Sequence, residues 1–285
     1  MPSVNERIRA CPVATAFLGL LLLTPAGAQP LATTPPMGFN TWNKFGCAGI
    51  SGKVLMDTAD RFVDLGLKDL GYMYINSDDC WMTHARASGG AGPQVADPVK
   101  FPTGVRAVAD YIHSKGLKLG LYTALANFTC GKYVGSCDFE LIDVQQWANW
   151  TVDYMKDDYC GSCGGRPVEV DYEVMQSAIS GAGRPMVLTI EGIPNIEDVH
   201  TGCCGQARRV GHDIQPHWLS MTSLVDTGAG LWPYAHNGSL TTVANGGGFW
   251  NDLGAWLSHV FCQFIACSLT FLSLRCVHLT SHRVC

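Results

Sequence analysis

The sequence predicts an α/β fold, a (β/α)8 TIM barrel, on three observations. Short apolar segments alternate along the chain with segments of helical apolar spacing, a rhythm that favours a parallel sheet. Several of the apolar segments stop at Asp, Glu or Lys, and a barrel gathers such strand ends at one mouth. The chain has 285 residues, and a barrel needs about 250. In a doubly wound open sheet the same polar residues would lie along one edge.

Seven segments have the character of strands, so we predict an eight-stranded barrel that is incomplete at its last strand. We predict strands at 38–42, 72–76, 118–122, 154–156, 186–190, 210–214 and 249–252. Helical spacing predicts helices at 54–65, 104–114, 139–150, 173–180 and 216–224. In this scheme Asp213 lies within the sixth strand.

Composition excludes several functions. The chain is 47% hydrophobic and 15% charged, with a net charge of −5 and no basic run, which argues against a nucleic-acid partner. A Gly-rich phosphate loop in a strand–turn–helix context is absent, so a nucleotide is not expected. The nine His are scattered, and Cys160 and Cys163 have the spacing of a zinc or redox pair without a partner motif. We therefore expect no cofactor and no metal.

The two ends of the chain differ from its middle. Arg7 and Arg9 precede an apolar stretch at 13–23 and the small residues 26–28, which predicts a signal peptide at 1–28; an uncleaved anchor is the alternative. Secretion, with the lysosome or vacuole as further destinations, suits the 13 cysteines and the glycosylation sequons at Asn127, Asn149 and Asn237. The predicted barrel occupies 29–254, and an apolar tail with cysteines follows at 255–285.

The polar residues at the predicted strand ends suit a sugar site. Carboxylates accept hydrogen bonds from hydroxyls, an aromatic face stacks on a sugar ring, and a pair of carboxylates can cleave a glycosidic bond. For Asp157 and Asp158 the alternative is a solvated turn, and for Asp213 it is a helix cap. The candidates are Trp42, Asp78, Asp79, Tyr122, Lys156, Asp158, Glu191, Arg209, Asp213 and Asp252.

Several motifs occur in the order seen in one enzyme family. The stretches are Thr-Pro-Pro-Met-Gly-Phe-Asn-Thr-Trp at 34–42, Ile-Asn-Ser-Asp-Asp-Cys-Trp at 75–81, 97–104 with 113–122, and Met-Lys-Asp-Asp-Tyr-Cys at 155–160. Together they resemble glycoside hydrolase family 27, which holds the α-galactosidases (melibiases) and α-N-acetylgalactosaminidases. The resemblance runs from about Thr34 to Asp252.

The resemblance implies roles for single residues. Asp158, between a lysine-led strand end and a cysteine, matches the family's nucleophile, and Asp213, four residues after Arg209, matches its acid/base. Glu191 falls where the family reads the C2 substituent of the sugar, and a carboxylate there favours galactose over N-acetylgalactosamine. Residues expected to contact the galactose are Trp42, Asp78, Asp79, Tyr122 and Lys156, with Arg209 close by.

The resemblance also implies disulfides near the mouth of the barrel. These are Cys47 with Cys80 and Cys130 with Cys160, and Cys137 with Cys163 is a plausible further bridge. The second of these would brace the loop that carries Asp158.

After Asp252 the sequence departs from the family, which continues with a Pro-Asp-Met-like sequence, an eighth strand and an antiparallel β domain. Gly254 stands where a family aspartate would be, and residues 255–285 do not align. The tail resembles translated non-coding sequence after a missed splice site or a frameshift. A membrane-anchoring end at 255–274 is the alternative, although no membrane partner is expected. A truncated barrel exposes strand edges, so we expect this chain to fold poorly or to have little activity.

The predicted function is that of a secreted, retaining exo-glycosidase. It would hydrolyse terminal α-linked galactose by double displacement, so the expected partner is an α-galactoside substrate. The alternatives are an α-N-acetylgalactosaminidase or related pyranosidase, and an inactive remnant that binds galactose.

Overall fold

The computed structural model describes residues 31–191, 204–209, 211–215, 217–230 and 250–252. Within these ranges, seven strands form one parallel sheet in chain order. They are β1 (Gly38–Asn40), β2 (Tyr74–Asn76), β3 (Lys118–Ala124), β4 (Tyr154–Asp158), β5 (Val187–Ile190), β6 (Ala207–Arg209) and β7 (Trp250–Asp252). Each strand pairs with the next, so the carboxyl ends of all seven lie at the same edge.

Six α-helices lie between or after these strands in the described ranges. Their bounds are α1 (Trp42–Gly49), α2 (Gly52–Asp64), α3 (Gly104–Ser114), α4 (Glu140–Asn149), α5 (Val168–Gly181) and α6 (Trp218–Gly230). In α2, Ser51 caps the first turn by accepting a hydrogen bond from the Val54 amide, and Leu55, Ala59 and Phe62 form the buried face. The βα rhythm predicted from the sequence is confirmed.

The core lies between the sheet and these helices. Apolar residues of β2 to β5 are almost completely buried, because a parallel sheet is covered on both faces. The largest fully buried side chains include Trp81, Trp147, Tyr122, Tyr154 and Tyr172.

The sheet is curled. Leu31 and Ala32, which precede β1, pack against Tyr74 and Tyr154 near the amino ends of β2 and β4. The carbonyl of Ala32 also accepts a hydrogen bond of 2.7 Å from the indole Nε1 of Trp250 on β7. The segment before β1 therefore touches both the middle and the last described strand, as a barrel requires and a flat sheet does not allow. This geometry confirms the predicted α/β barrel fold.

The structure corrects one strand. The predicted sixth strand at 210–214 is wrong, because β6 is Ala207–Arg209 and Asp213 lies in the segment that follows it. Arg208 and Arg209 look unlike strand residues in sequence, yet Arg208 is only 3% exposed.

The helix predictions also need correction at several ends. Helix α1 was not predicted, and Trp42 begins that helix rather than ending a strand. Helix α5 begins at Val168 instead of residue 173, and α6 is Trp218–Gly230 instead of 216–224.

Three predictions fall on residues that the structure does not describe. The signal peptide at 1–28, the sequon at Asn237 and the tail at 255–285 lie outside the described ranges and stay predictions. Asn127 and Asn149, of the other two sequons, are exposed. Among the described helices, none has the length and apolar character needed to cross a bilayer.

Candidate active site

The candidate site lies at the carboxyl edge of the sheet. Lys156 and Asp158 are two residues apart on β4, so their side chains share one face of that strand. Tyr122 on β3 pairs with Lys156, Glu191 follows β5 directly, and Arg209 ends β6. Neighbouring strands thus carry these groups side by side.

Lys156 is the central cation of the site. Its Nζ lies 2.7 Å from Oδ2 of Asp78 and 3.4 Å from Oε1 of Glu191, and the residue is only 7% exposed. Burial lowers the pKa of Lys156, but the charges of Asp78, Glu191 and Asp158 outweigh it, so the pKa is raised well above its usual value. Lys156 therefore stays protonated, with its ammonium group held between carboxylates.

Asp158 is held as a carboxylate. Its Oδ2 accepts a hydrogen bond of 2.9 Å from the Tyr122 hydroxyl, and its Oδ1 accepts one of 2.8 Å from the Tyr159 amide. Burial alone would raise the pKa of Asp158, but the charge of Lys156 and hydrogen bonds from Glu191 and Tyr122 bring it below its usual value. A half-buried, ionised carboxylate at a strand end can act as a nucleophile.

The pKa of Glu191 shifts in the opposite direction to that of Asp158. The residue is only 3% exposed, and burial raises the pKa of its carboxyl well above the usual value. The positive charge of Lys156 lowers this pKa, and the negative charge of Asp158 raises it. The two carboxyls hydrogen-bond each other. Because like charges at short distance repel, the pair favours a shared proton, and Asp158 is the more acidic of the two carboxyls.

Arg209 links Glu191 to Asp213. Its Nη1 lies 2.6 Å from Oδ1 of Asp213 in a hydrogen bond. The same atom lies 2.9 Å from Oε2 of Glu191, in an ion pair whose angles do not make a hydrogen bond. A further bond of 3.1 Å, from Nδ2 of Asn43 to the carbonyl of Ile214, ties the Asp213 segment to α1. These contacts bring Asp213 to the site even though it lies beyond the strand.

Asp78 and Asp79 are both buried beside the site, and they are held differently. Asp78 Oδ2 accepts hydrogen bonds from Lys156 and from Nδ2 of Asn40, the latter at 2.8 Å. Asp79 accepts from the amides of Cys80 at 2.6 Å and Gly131 at 2.7 Å. Burial raises the pKa of Asp79, and these amide bonds oppose that shift.

Disulfides brace the loops around the site. The structure confirms Cys47–Cys80 and Cys130–Cys160, and it also contains the Cys137–Cys163 bridge. Cys160 and Cys163 each pair with a different cysteine, so they do not form a redox pair with each other. The first bridge holds the residue after Asp79, and the second holds the residue two after Asp158.

Two residues of the site were not predicted from the sequence: Asn40, the last residue of β1, and Thr41, which follows it. Asn40 bonds Asp78, and its Oδ1 also accepts from the Trp42 amide at 2.8 Å. The Thr41 hydroxyl accepts a bond of 2.9 Å from the Asp78 amide. Their position at the carboxyl end of a predicted strand was an available signal. Trp42 itself is half-buried at the start of α1.

The structure brings most predicted site residues into one connected set. Hydrogen bonds and ion pairs join Asp78, Tyr122, Lys156, Asp158, Glu191, Arg209 and Asp213, with Asp79 next to Asp78. The side chain of Asp252 lies outside the described residues. The structure does not support a solvated turn at Asp157 and Asp158, because Asp157 is fully buried. It does not support a helix cap at Asp213 either, because Asp213 pairs with Arg209 and the next helix starts at Trp218.

The sequence is similar to one family model and to several known glycosidases. The family model described as Alpha galactosidase A (Melibiase_2) matches residues 34–274. An alpha-galactosidase of Cyamopsis tetragonoloba is 41% identical over 224 residues, which are 78% of this chain and 51% of the relative. An alpha-N-acetylgalactosaminidase of Gallus gallus is 38% identical over 239 residues, 78% of this chain and 57% of the relative.

A solved structure shows the same similarity in three dimensions. An alpha-galactosidase of Saccharomyces cerevisiae with raffinose superposes with a TM-score of 0.66 at 30% identity, covering 80% of this chain and 54% of that one. This chain thus spans about half the length of the curated relatives it matches, 51% in the first case given.

Proposed function

The chain belongs to the Alpha galactosidase A family, and from that premise we propose that it hydrolyses terminal α-linked galactosides. The observation that carries the proposal is the state of Asp158. It is an ionised carboxylate, held by Tyr122 and Lys156 at the end of β4, in one connected set with a second carboxylate, Asp213. Glycoside hydrolysis requires a pair of carboxyl groups that flank the scissile bond.

In the first step Asp158 attacks the anomeric carbon of galactose. The bond from that carbon to the leaving oxygen breaks, and Asp213 gives its proton to this oxygen. The galactosyl group is then an ester of Asp158. The positive charge of Lys156 lowers the pKa of Asp158 and so favours its ionised form.

In the second step a water molecule replaces the leaving group. Asp213, now a carboxylate, takes a proton from this water, and the oxygen attacks the anomeric carbon and releases Asp158. Two displacements retain the configuration of the sugar, which requires the carboxyls to lie about 5–5.5 Å apart. Arg209 positions Asp213 through its 2.6 Å contact.

The sugar specificity depends on Glu191. Its carboxyl is buried between Lys156 and Arg209, and a group that small and polar suits a hydroxyl at C2 of the sugar. Since a relative is named alpha-N-acetylgalactosaminidase, N-acetylgalactosaminide hydrolysis is the second candidate. The yeast relative bound to raffinose supports raffinose as a substrate to test. We propose secretion as the route, with the lysosome or vacuole as further destinations.

The proposal is tested by turnover of nitrophenyl α-galactoside and nitrophenyl α-N-acetylgalactosaminide by the purified chain. In contrast to the low activity that the truncated sequence predicts, we expect hydrolysis of the galactoside in preference to the N-acetylgalactosaminide, and no hydrolysis by Asp158→Asn. Asp157→Asn is the matched control, since Asp157 lies on the other face of β4, and it should keep activity. Galactose binding without turnover would indicate a binding remnant instead, and preference for the second substrate would reverse the assignment.

A further inference from the structure

Two large apolar side chains are exposed at the start of α6. Trp218 is 72% exposed and Leu219 is 76% exposed, although each is large and apolar. Among the other described tryptophans, Trp81 and Trp147 are fully buried, and Trp42, Trp150 and Trp250 are partly buried. An exposed aromatic side chain near a binding site calls for an explanation, because leaving it in water costs free energy.

Trp218 is held close to Asp213 by the backbone between them. Five residues span at most about 17 Å when extended, and this segment is not extended. The His217 amide bonds the Gln215 carbonyl at 2.8 Å, and the Gln215 amide bonds the Ser220 hydroxyl at 2.9 Å. The Ser220 amide bonds Nδ1 of His217 at 3.1 Å. Helix α6 thus begins beside the segment that carries Asp213, on the carboxyl side of β6.

The proposed reaction fixes where the leaving group lies. Displacement at the anomeric carbon is in line, so the leaving oxygen departs from the face opposite to Asp158. That oxygen takes its proton from Asp213, so the leaving group must be on the Asp213 side of the site. Trp218 is the large exposed aromatic residue next in sequence to this side, whereas Tyr159, 40% exposed, follows Asp158.

We propose that the indole of Trp218 forms a platform for the leaving-group sugar of the substrate. The inference rests on the proposed function and adds to it one residue, Trp218, that discriminates between substrates by the size of their leaving group. The indole offers a flat apolar face that can cover the C–H face of a pyranose, while the sugar hydroxyls remain in water. Substrate binding would then cover the surface that the free protein exposes.

The test compares two substrates in the full chain. One is raffinose, whose leaving group is a disaccharide, and the other is α-galactosyl fluoride, whose leaving group is a single atom that cannot reach the indole. For Trp218→Ala we expect kcat/KM on raffinose to fall about fivefold to tenfold, as expected for loss of an aromatic stacking contact, with α-galactosyl fluoride unchanged. Trp218→Tyr should restore most of the loss.

Tyr159→Ala is the matched control, because it removes an exposed aromatic ring on the side of Asp158. It should leave the ratio of the two kcat/KM values at the wild-type value. Equal losses on both substrates in Trp218→Ala, or no loss on raffinose, would overturn the platform while leaving the proposed function intact. Failure of the wild-type chain to hydrolyse α-galactosyl fluoride would instead overturn the proposed function and this inference together.

Discussion

The hydroxyl of Tyr122 on β3 donates a hydrogen bond of 2.9 Å to Oδ2 of Asp158 on the neighbouring strand β4. The two residues are two positions out of register, since Tyr122 pairs with Lys156 and Ala124 with Asp158. The tyrosine therefore reaches along the sheet towards the mouth. This bond, together with the charge of Lys156, opposes the effect of burial on Asp158.

Tyr122→Phe should move the acid limb of kcat/KM to higher pH. In the proposed mechanism Asp158 attacks as a carboxylate, so activity should fall as the pH drops below the pKa of Asp158 in the free enzyme. Loss of a donor to the carboxylate raises that pKa. We also expect a loss of about tenfold in kcat/KM at neutral pH, the size of one hydrogen bond to a charged group. The measurement is a pH profile of kcat/KM on nitrophenyl α-galactoside.

Tyr111→Phe is the control for this profile. Its hydroxyl bonds Asp60 between α2 and α3, away from the mouth, so the acid limb should stay at its wild-type pH. An unchanged limb in Tyr122→Phe would contradict the role given to that hydroxyl.

Asp143→Ala should destabilise the fold strongly. Both carboxylate oxygens of Asp143 bond Arg86 at 2.8 Å, and they also accept from the Gln94 amide and the Ser136 hydroxyl, in a fully buried position. Removal leaves the buried guanidinium of Arg86 without a carboxylate partner, at a cost of about 3–5 kcal/mol. Urea unfolding measures this loss. Asp57→Ala, which breaks the exposed Lys53 pair, should cost below about 1 kcal/mol; equal losses in the two variants would count against the buried network.

Asp157→Leu should stabilise the chain at neutral pH. The Asp157 carboxyl is fully buried, and among the described residues neither oxygen has a hydrogen-bond partner. Burial raises its pKa well above the usual value, with the charge of Asp158 acting in the same direction. Below the unfolded pKa of about 3.9 the carboxyl is protonated in both states and carries no charge penalty, and this advantage is lost as the pH rises towards the folded pKa, because the unfolded chain ionises more readily than the folded one.

Leucine has nearly the shape of aspartate and does not titrate. We therefore expect a gain of about 1–3 kcal/mol at pH of about 7, and a smaller gain at pH of about 4, near the unfolded pKa. Unfolding free energies at the two pH values provide the comparison. A gain that is the same at both, or a loss at both, would show that the carboxyl is not held neutral inside the fold.

The double variant Cys130→Ser, Cys160→Ser should lose both stability and activity. The bridge closes a loop with a sequence separation of 30 and holds the residue two after Asp158. We expect a loss of about 2–4 kcal/mol in the free energy of unfolding, and a lower kcat because Asp158, the proposed nucleophile, is less firmly placed. The Cys137–Cys163 bridge has a similar separation of 26, so its removal should cost similar stability. Comparable kcat losses in the two variants would refute a special role for the first bridge.

The sequence predicts most strands because their patterns are strong. In β3 and β4 a run of apolar residues stops at polar ones, and this pattern marks both the strand and its functional end. Helix α3 ends at Ser114, shortly before Gly116, whose positive φ of 72° suits the turn that follows. These features are local, so the chain displays them without knowledge of the fold.

The errors arise where tertiary contacts decide the structure. Helix α1 contains Gly46, at φ 49° and ψ −159°, so it lacks a regular pattern and was missed. Strand β6 is Ala-Arg-Arg, and its pairing with β5 and β7 overrides a composition that does not favour a strand. In the site, single residues were foreseeable from strand ends. The bridge of Arg209 between Glu191 and Asp213, and the bond from Asn40 to Asp78, depend on side chains from distant positions meeting.

The central claim is that Asp158 forms a covalent bond with the sugar. The most direct test is to incubate the purified chain with an α-galactosyl fluoride that bears a second fluorine on its ring, which slows release of the intermediate. Mass spectrometry of the digested protein then locates the added sugar. We predict one galactosyl ester, on the peptide that contains Asp158, and none in Asp158→Asn. An ester on Asp213 or on another carboxylate, or turnover that inverts the sugar without any ester, would contradict the account.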